Sequence, residues 1–162
     1  NLKFNKMKTL EEIIENPSSS NTKPTLKITK KKIKRTEKKF YQKIRSNLWR
    51  LPEWDVLKLD TYATRGIPDL LVRCPEYHFH FIELKITSTR SIRLSPHQVS
   101  FLQKNKDTRS WIMVEDATDS IYLYHASQVL DVKKEGLNLQ PLGGFFEYPY
   151  IDWEKIFSSL QK

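Results

Sequence analysis

The 162-residue sequence predicts an α/β fold, a central β-sheet flanked by helices, on three observations. Five short runs of strand character fall between residues 54 and 125, an amphipathic helical pattern precedes them from Thr36, and a helix with a full set of start signals interrupts them at Ser95.

Residues 1–30 join a short apolar periodicity (Leu10, Ile13, Ile14) to the segment PSSSNTKPT, whose Pro, Ser, Asn and Thr bury little surface and hold no regular ladder. The sequence reads as a flexible basic leader over residues 1–35, followed by a domain over 36–162. From Thr36, Phe40, Ile44 and Leu48 recur at steps of four, with Tyr41 on an adjacent line. Glu37 shares that second line, which turns its carboxylate toward the core side, where a charge requires a partner.

After Pro52 come WDVLKLD (54–60), DLLVRC (69–74), HFHFIELKI (78–86), SWIMVED (110–116) and IYLYH (121–125). Between the third and fourth lies LSPHQVSFLQKN. Ser95 is the expected N-cap, Pro96 takes the first turn, Gln98 completes a capping box, and Leu94 staples onto Val99. A last helix is expected from about Asp152, with Trp153, Ile156, Phe157 and Leu160 packed on the same sheet. The aromatic stretch from Gly143 through Tyr150 is expected to close the sheet edge, with an interface as the other reading. No internal repeat is visible.

No apolar run approaches the roughly 18 residues of a membrane span. The opening segment lacks the apolar core of a secretory signal, and Glu11, Glu12 and Glu15 argue against a mitochondrial presequence, so an intracellular location is expected. The single cysteine, Cys74, forms no internal disulfide, has no ligand partners at zinc spacing, and reads as a buried strand residue. The net charge of +9 is concentrated: Lys23–Arg50 holds twelve Lys or Arg against the single acid Glu37, and the rest of the chain balances at −2. Such a run attracts polyanions without sequence specificity, or is a solvated tail.

The third strand run alternates, with Phe79, Phe81, Glu83 and Lys85 on one face and His78, His80, Ile82, Leu84 and Ile86 on the other. Glu83 and Lys85 are then about 7 Å apart on a shared face. If the hairpin through Pro75, Glu76 and Tyr77 is centred on Glu76, paired residues have numbers adding to 152, as Asp69 and Glu83 do. Two carboxylates facing each other across a ladder repel unless neutralised, and a hard cation such as Mg²⁺ does so. Lys85 could orient or help deprotonate a metal-bound water and steady negative charge on a phosphorane-like transition state. The ordinary alternative is a surface ion pair. Phe79 and Phe81 argue against it by implying a half-buried face, and a one-residue slip would turn one acid away.

TRGIPDLLV, thirteen residues between Asp69 and Glu83, IELKI and LSPHQ together resemble the PD-(D/E)XK nuclease superfamily. The Gly66-x-Pro68-Asp69 opening and the LSPHQ helix are similar to VRR-NUC domains and archaeal-type Holliday junction resolvases. The likeness covers residues 36–125, leaving 126–162 as a C-terminal extension. It implies a restriction-endonuclease-like αβββαβ core with a mixed sheet, and one or two Mg²⁺ ions, Mn²⁺ substituting, held by Asp69, Glu83 and the Leu84 carbonyl. It further implies in-line attack of a metal-activated water on DNA. Glu37 matches an additional metal-site glutamate, with a helix N-terminal acid as its plainer reading. Gln98 matches a glutamine that approaches the scissile phosphate, although the capping box also uses it. Lys31, Lys32, Lys34, Arg35, Lys38, Arg65 and Arg93 are the expected DNA-backbone contacts, or else solvated cations. His78 and His80 read as strand-packing residues and His97 as solvent-facing. The resemblance also implies a homodimer and a phage or mobile-element setting. The competing readings are a non-catalytic DNA-binding module on the same fold and a nuclease acting on RNA.

Overall fold

Thr36 begins the first helix. Its side chain accepts a hydrogen bond from the Lys39 amide at 3.2 Å, and α1 (Glu37–Leu48) follows with Phe40, Ile44 and Leu48 buried. The computed structural model describes residues 35–59 and 65–161, which belong to one compact unit. The leader up to residue 34, with Lys31, Lys32 and Lys34, lies outside the described residues. Glu37 sits in the first turn of α1 with its side chain 51% exposed, so it is less buried than its line on the helix implies.

The fold is α/β: a mixed six-stranded sheet flanked by helices. The strands are β1 (Asp55–Lys58), β2 (Leu70–Arg73), β3 (Phe79–Ile86), β4 (Ser110–Glu115), β5 (Ile121–His125) and β6 (Gly144–Phe146), arranged in chain order. Every neighbouring pair is antiparallel except β3 with β4. Parallel pairing needs a crossover, and α2 (Pro96–Lys104) provides it. The aromatic stretch closes the edge as expected, since β6 pairs with β5 through Ile121 and Phe146. One helix, α3 (Val129–Glu135), has no counterpart in the sequence reading. It is seven residues long and buries only Val129 and Val132, too little for a periodic signal.

The alternation of β3 divides the molecule into two layers. Ile82 and Leu84 face a core built with α1 and α4 (Trp153–Ser159), including Phe40, Ile44, Ile156 and Phe157. On the other side, α2 and α3 cover Ile112, Val114 and Tyr124. Phe81 meets Phe101 of α2 edge-to-face at 5.5 Å between ring centroids. Among the described residues no helix is long and apolar enough to cross a membrane.

Two polar clamps fix α1 against the sheet. Lys43 donates to Glu115 at 2.8 Å, and Glu115 is 5% exposed at the end of β4. Just before the helix, Arg35 holds the Asp119 carboxylate at 3.0 Å and the Asp116 carbonyl at 3.1 Å. Removing Lys43 would strand a buried carboxylate, so Lys43→Met is expected to cost about 1–3 kcal/mol by denaturant midpoint. Adding Glu115→Leu should recover most of that loss, because the apolar pair leaves no charge unpartnered.

Candidate active site

The hairpin between β2 and β3 turns at Tyr77, which takes a left-handed φ of 61°, while the Cys74 amide bonds the His78 carbonyl at 2.9 Å. The ladder pairs Leu70 with Ile82, Leu71 with Phe81, Val72 with His80 and Arg73 with Phe79, the register the sequence predicts. Carried one residue further, it sets Asp69 opposite Glu83. Asp69 is held from both sides: its carbonyl accepts from the Leu59 amide at 2.8 Å, and its carboxylate Oδ2 accepts from the Leu84 amide at 2.8 Å.

Glu83 is 1% exposed. Its Oε1 lies 2.8 Å from Lys85 Nζ and also accepts from the Gln98 side-chain amide. Gln98 reaches it because α2 is capped as the sequence predicts. Ser95 Oγ accepts from the Gln98 amide at 3.2 Å, and Gln98 Oε1 accepts from the Ser95 amide at 2.9 Å. One end of the side-chain amide therefore closes the capping box and the other holds Glu83, so the two uses open to Gln98 coexist. Lys85 has a second partner in Glu37, at 3.6 Å.

Gly66 explains how the segment leading to Asp69 meets α2. Its φ is +89°, and a Cβ there would stand 2.5 Å from the His97 carbonyl oxygen. Only glycine combines that conformation with that approach.

Burial pushes the Glu83 carboxyl up to about 7. Lys85 opposes the rise and the Asp69 charge adds to it. Burial also works against the Lys85 charge, but Glu83, then Glu37 and Asp69, outweigh it and hold Lys85 above its ordinary pKa. Lys85 is thus an ammonium at neutral pH, fitted to stabilising anionic charge rather than to removing a proton.

The donor set suits a hard divalent cation. Asp69 and Glu83 each keep one oxygen outside the hydrogen bonds just described, and the Leu84 carbonyl is adjacent in sequence. Mg²⁺ is commonly held by one or two carboxylates plus waters and a substrate phosphate. Among the described residues no three His, Cys, Asp or Glu side chains converge into a ligand group. Glu37, expected as an additional metal-site glutamate, contacts Lys85 and lines a cavity together with Asp69.

Of the expected phosphate contacts, Arg35 is engaged by Asp119, Lys38 is exposed on α1, and Arg65 and Arg93 are exposed in the loops flanking Asp69 and α2. His80 is buried on the opposite layer with neither ring nitrogen bonded, 6.5 Å from the Trp54 ring. Burial, then Arg109, lowers it to about 4, which fits a neutral packing residue. The sequence reading missed Tyr41, Gln42 and Arg45 as site neighbours. With Lys38 they form one stripe of α1 at steps of three, four and seven beside Asp69 and Leu84. Sorting the basic residues by helical face would have found it.

No family model matches the chain, and no curated protein matches it. Among solved structures it is similar to Hjc, a Holliday junction resolvase from Archaeoglobus fulgidus. That match has 12% identity over 56% of this chain and 78% of the other, with a TM-score of 0.43. At this distance the likeness carries neither residue roles nor activity to this chain.

Gly66→Ala is expected to lower stability by about 1–3 kcal/mol, since the added methyl is both strained and blocked by backbone. A thermal melt reads it, and an unchanged midpoint would mean that the segment before Asp69 does not depend on this approach.

Proposed function

We propose that this chain is a divalent-metal-dependent endonuclease that hydrolyses phosphodiester bonds of DNA at Asp69, Glu83 and Lys85. One observation carries the reading: a carboxylate 1% exposed, set opposite a second carboxylate one register step beyond the β2–β3 ladder, touches a partly buried ammonium. Two facing acids are an unfavourable arrangement in a sheet unless a cation completes it.

Asp69, Glu83 and the Leu84 carbonyl would hold the cation, Mg²⁺ or Mn²⁺. When bound, it supplies a Lewis acid for the phosphoryl oxygen and acidifies a water molecule. Lys85 stabilises charge that develops on the phosphate, and Glu37 keeps the ammonium aimed into the site. Gln98 fixes the Glu83 carboxylate and can exchange that bond for one to substrate. A phosphodiester backbone suits the cations near these acids, Lys38 and Arg45 on α1 and Lys58 on β1. Symmetric cutting of two strands would need two such sites, which extends the proposal to a homodimer. A DNA substrate would place the reaction inside a cell.

The test is cleavage of labelled DNA with Mg²⁺, Mn²⁺ or EDTA. Glu83→Gln and Lys85→Ala are each expected to lower the rate by about 10²–10³, a common cost of losing one transition-state contact. A chain that binds DNA and cuts none with either metal is instead a binding module.

The ionisation of Glu83 gives a second test. Its folded-state pKa of about 7 lies above that of an unfolded glutamate, so the metal-free fold holds the proton and loses stability as pH rises through 7. A cation requires the ionised form. Added Mg²⁺ should therefore raise the melting temperature more at pH 8 than at pH 5.5. Equal shifts at the two pH values would remove Glu83 from the metal site.

A further inference from the structure

A cavity of about 490 Å³ has the carboxylates of Asp69 and Glu37, and Leu84, in its wall. The same wall carries the α1 stripe of Lys38, Tyr41, Gln42 and Arg45, and the volume falls within the roughly 300–1,000 Å³ of sites that enclose a small ligand. Its chemistry is mixed in a particular way. Lys38 and Arg45 are cations one helical stretch apart, Tyr41 adds an aromatic ring backed by the core, and Gln42 adds an amide. Cations take phosphates, a tyrosine ring stacks on any base, and an amide can pair with a base edge. A paired and stacked duplex offers no base to such a cavity, whereas an unpaired nucleotide presents base face, base edge and phosphate together.

We propose that the cavity receives one unpaired nucleotide of the DNA strand beside the bond to be cut, so that the substrate is DNA with a single-stranded segment at the cut: a flap, a gap or a free end. The location of the cut rests on the nuclease reading, whereas the binding preference can be measured without it.

The experiment measures binding of the full chain, in EDTA at fixed salt, to a single-stranded DNA oligonucleotide, a flap and a fully paired duplex of matched length. The single strand and flap are expected to bind at least tenfold more tightly than the duplex. Tyr41→Ala should weaken single-strand binding by roughly 5- to 150-fold with duplex binding unchanged, and Tyr41→Phe should retain it. Arg45→Ala should lower the salt slope for the single strand by about 0.7, the value for one lost phosphate contact. Tyr41→Leu keeps the apolar contact with the core and decides the matter if Tyr41→Ala fails to fold.

Equal affinity for paired and unpaired DNA overturns the proposal. So does a folded Tyr41→Leu variant with the wild-type preference, or tighter binding of the matching RNA strand. Cleavage with Mg²⁺ separates the two readings. A chain that prefers unpaired strands through Tyr41 but cuts nothing keeps the cavity and loses the nuclease. A chain that cuts the flap equally well with Tyr41→Leu keeps the nuclease and loses the cavity.

Discussion

The organisation of this protein depends on one costly placement, the carboxylate of Glu83 in the middle of a central strand at 1% exposure. A buried charge on that scale needs partners, and two are arranged around it, Lys85 two residues along the strand and Gln98 from the helix above, while Asp69 is a like charge that makes the need greater. Each of these groups comes from a different part of the chain. The residue just before β2 is Asp69, β3 brings Lys85, and the capping box of α2 brings Gln98, so the fold can be understood as the set of constraints that hold these groups at one end of the β2–β3 hairpin.

The first helix completes the arrangement from the opposite layer. Its apolar stripe packs on Ile82 and Leu84, while Lys43–Glu115 and Arg35–Asp119 pin it at two places. Between those pins Glu37 lies 3.6 Å from Lys85. Partly exposed ion pairs such as these contribute little net stability compared with apolar packing, but they favour the arrangement that keeps them together. That is the property needed where a helix must present one carboxylate and one stripe of polar side chains at fixed positions beside a site.

Much of this was legible in the sequence because it rests on local rules. The period-two alternation of HFHFIELKI, a hairpin centre at Glu76 and the Ser95–Gln98 capping box were enough to place Asp69 opposite Glu83 and Gln98 near them. Glu37 was harder. Helical phase put it on the core side, but it lies in the first turn, where the helix runs past the edge of the core, and half its side chain meets solvent. Its contact with Lys85, the clamp from Lys43 to Glu115 and the engagement of Arg35 by Asp119 join residues 48 to 84 positions apart, and no periodicity carries such pairs. The packing of Gly66 on His97 was invisible for the same reason, and the short helix α3 because it buries only two residues.

The central claim is that Asp69 and Glu83 form a cation site, and the most direct measurement is a crystal structure of the chain with Mn²⁺, recorded at a wavelength where manganese scatters anomalously. The expected result is a single strong anomalous peak between the two carboxylates, within coordinating distance of both and of the Leu84 carbonyl, and absent from crystals of Glu83→Gln. A map with no peak there, or with manganese bound only at other residues while the Asp69 and Glu83 side chains keep their positions, would contradict it.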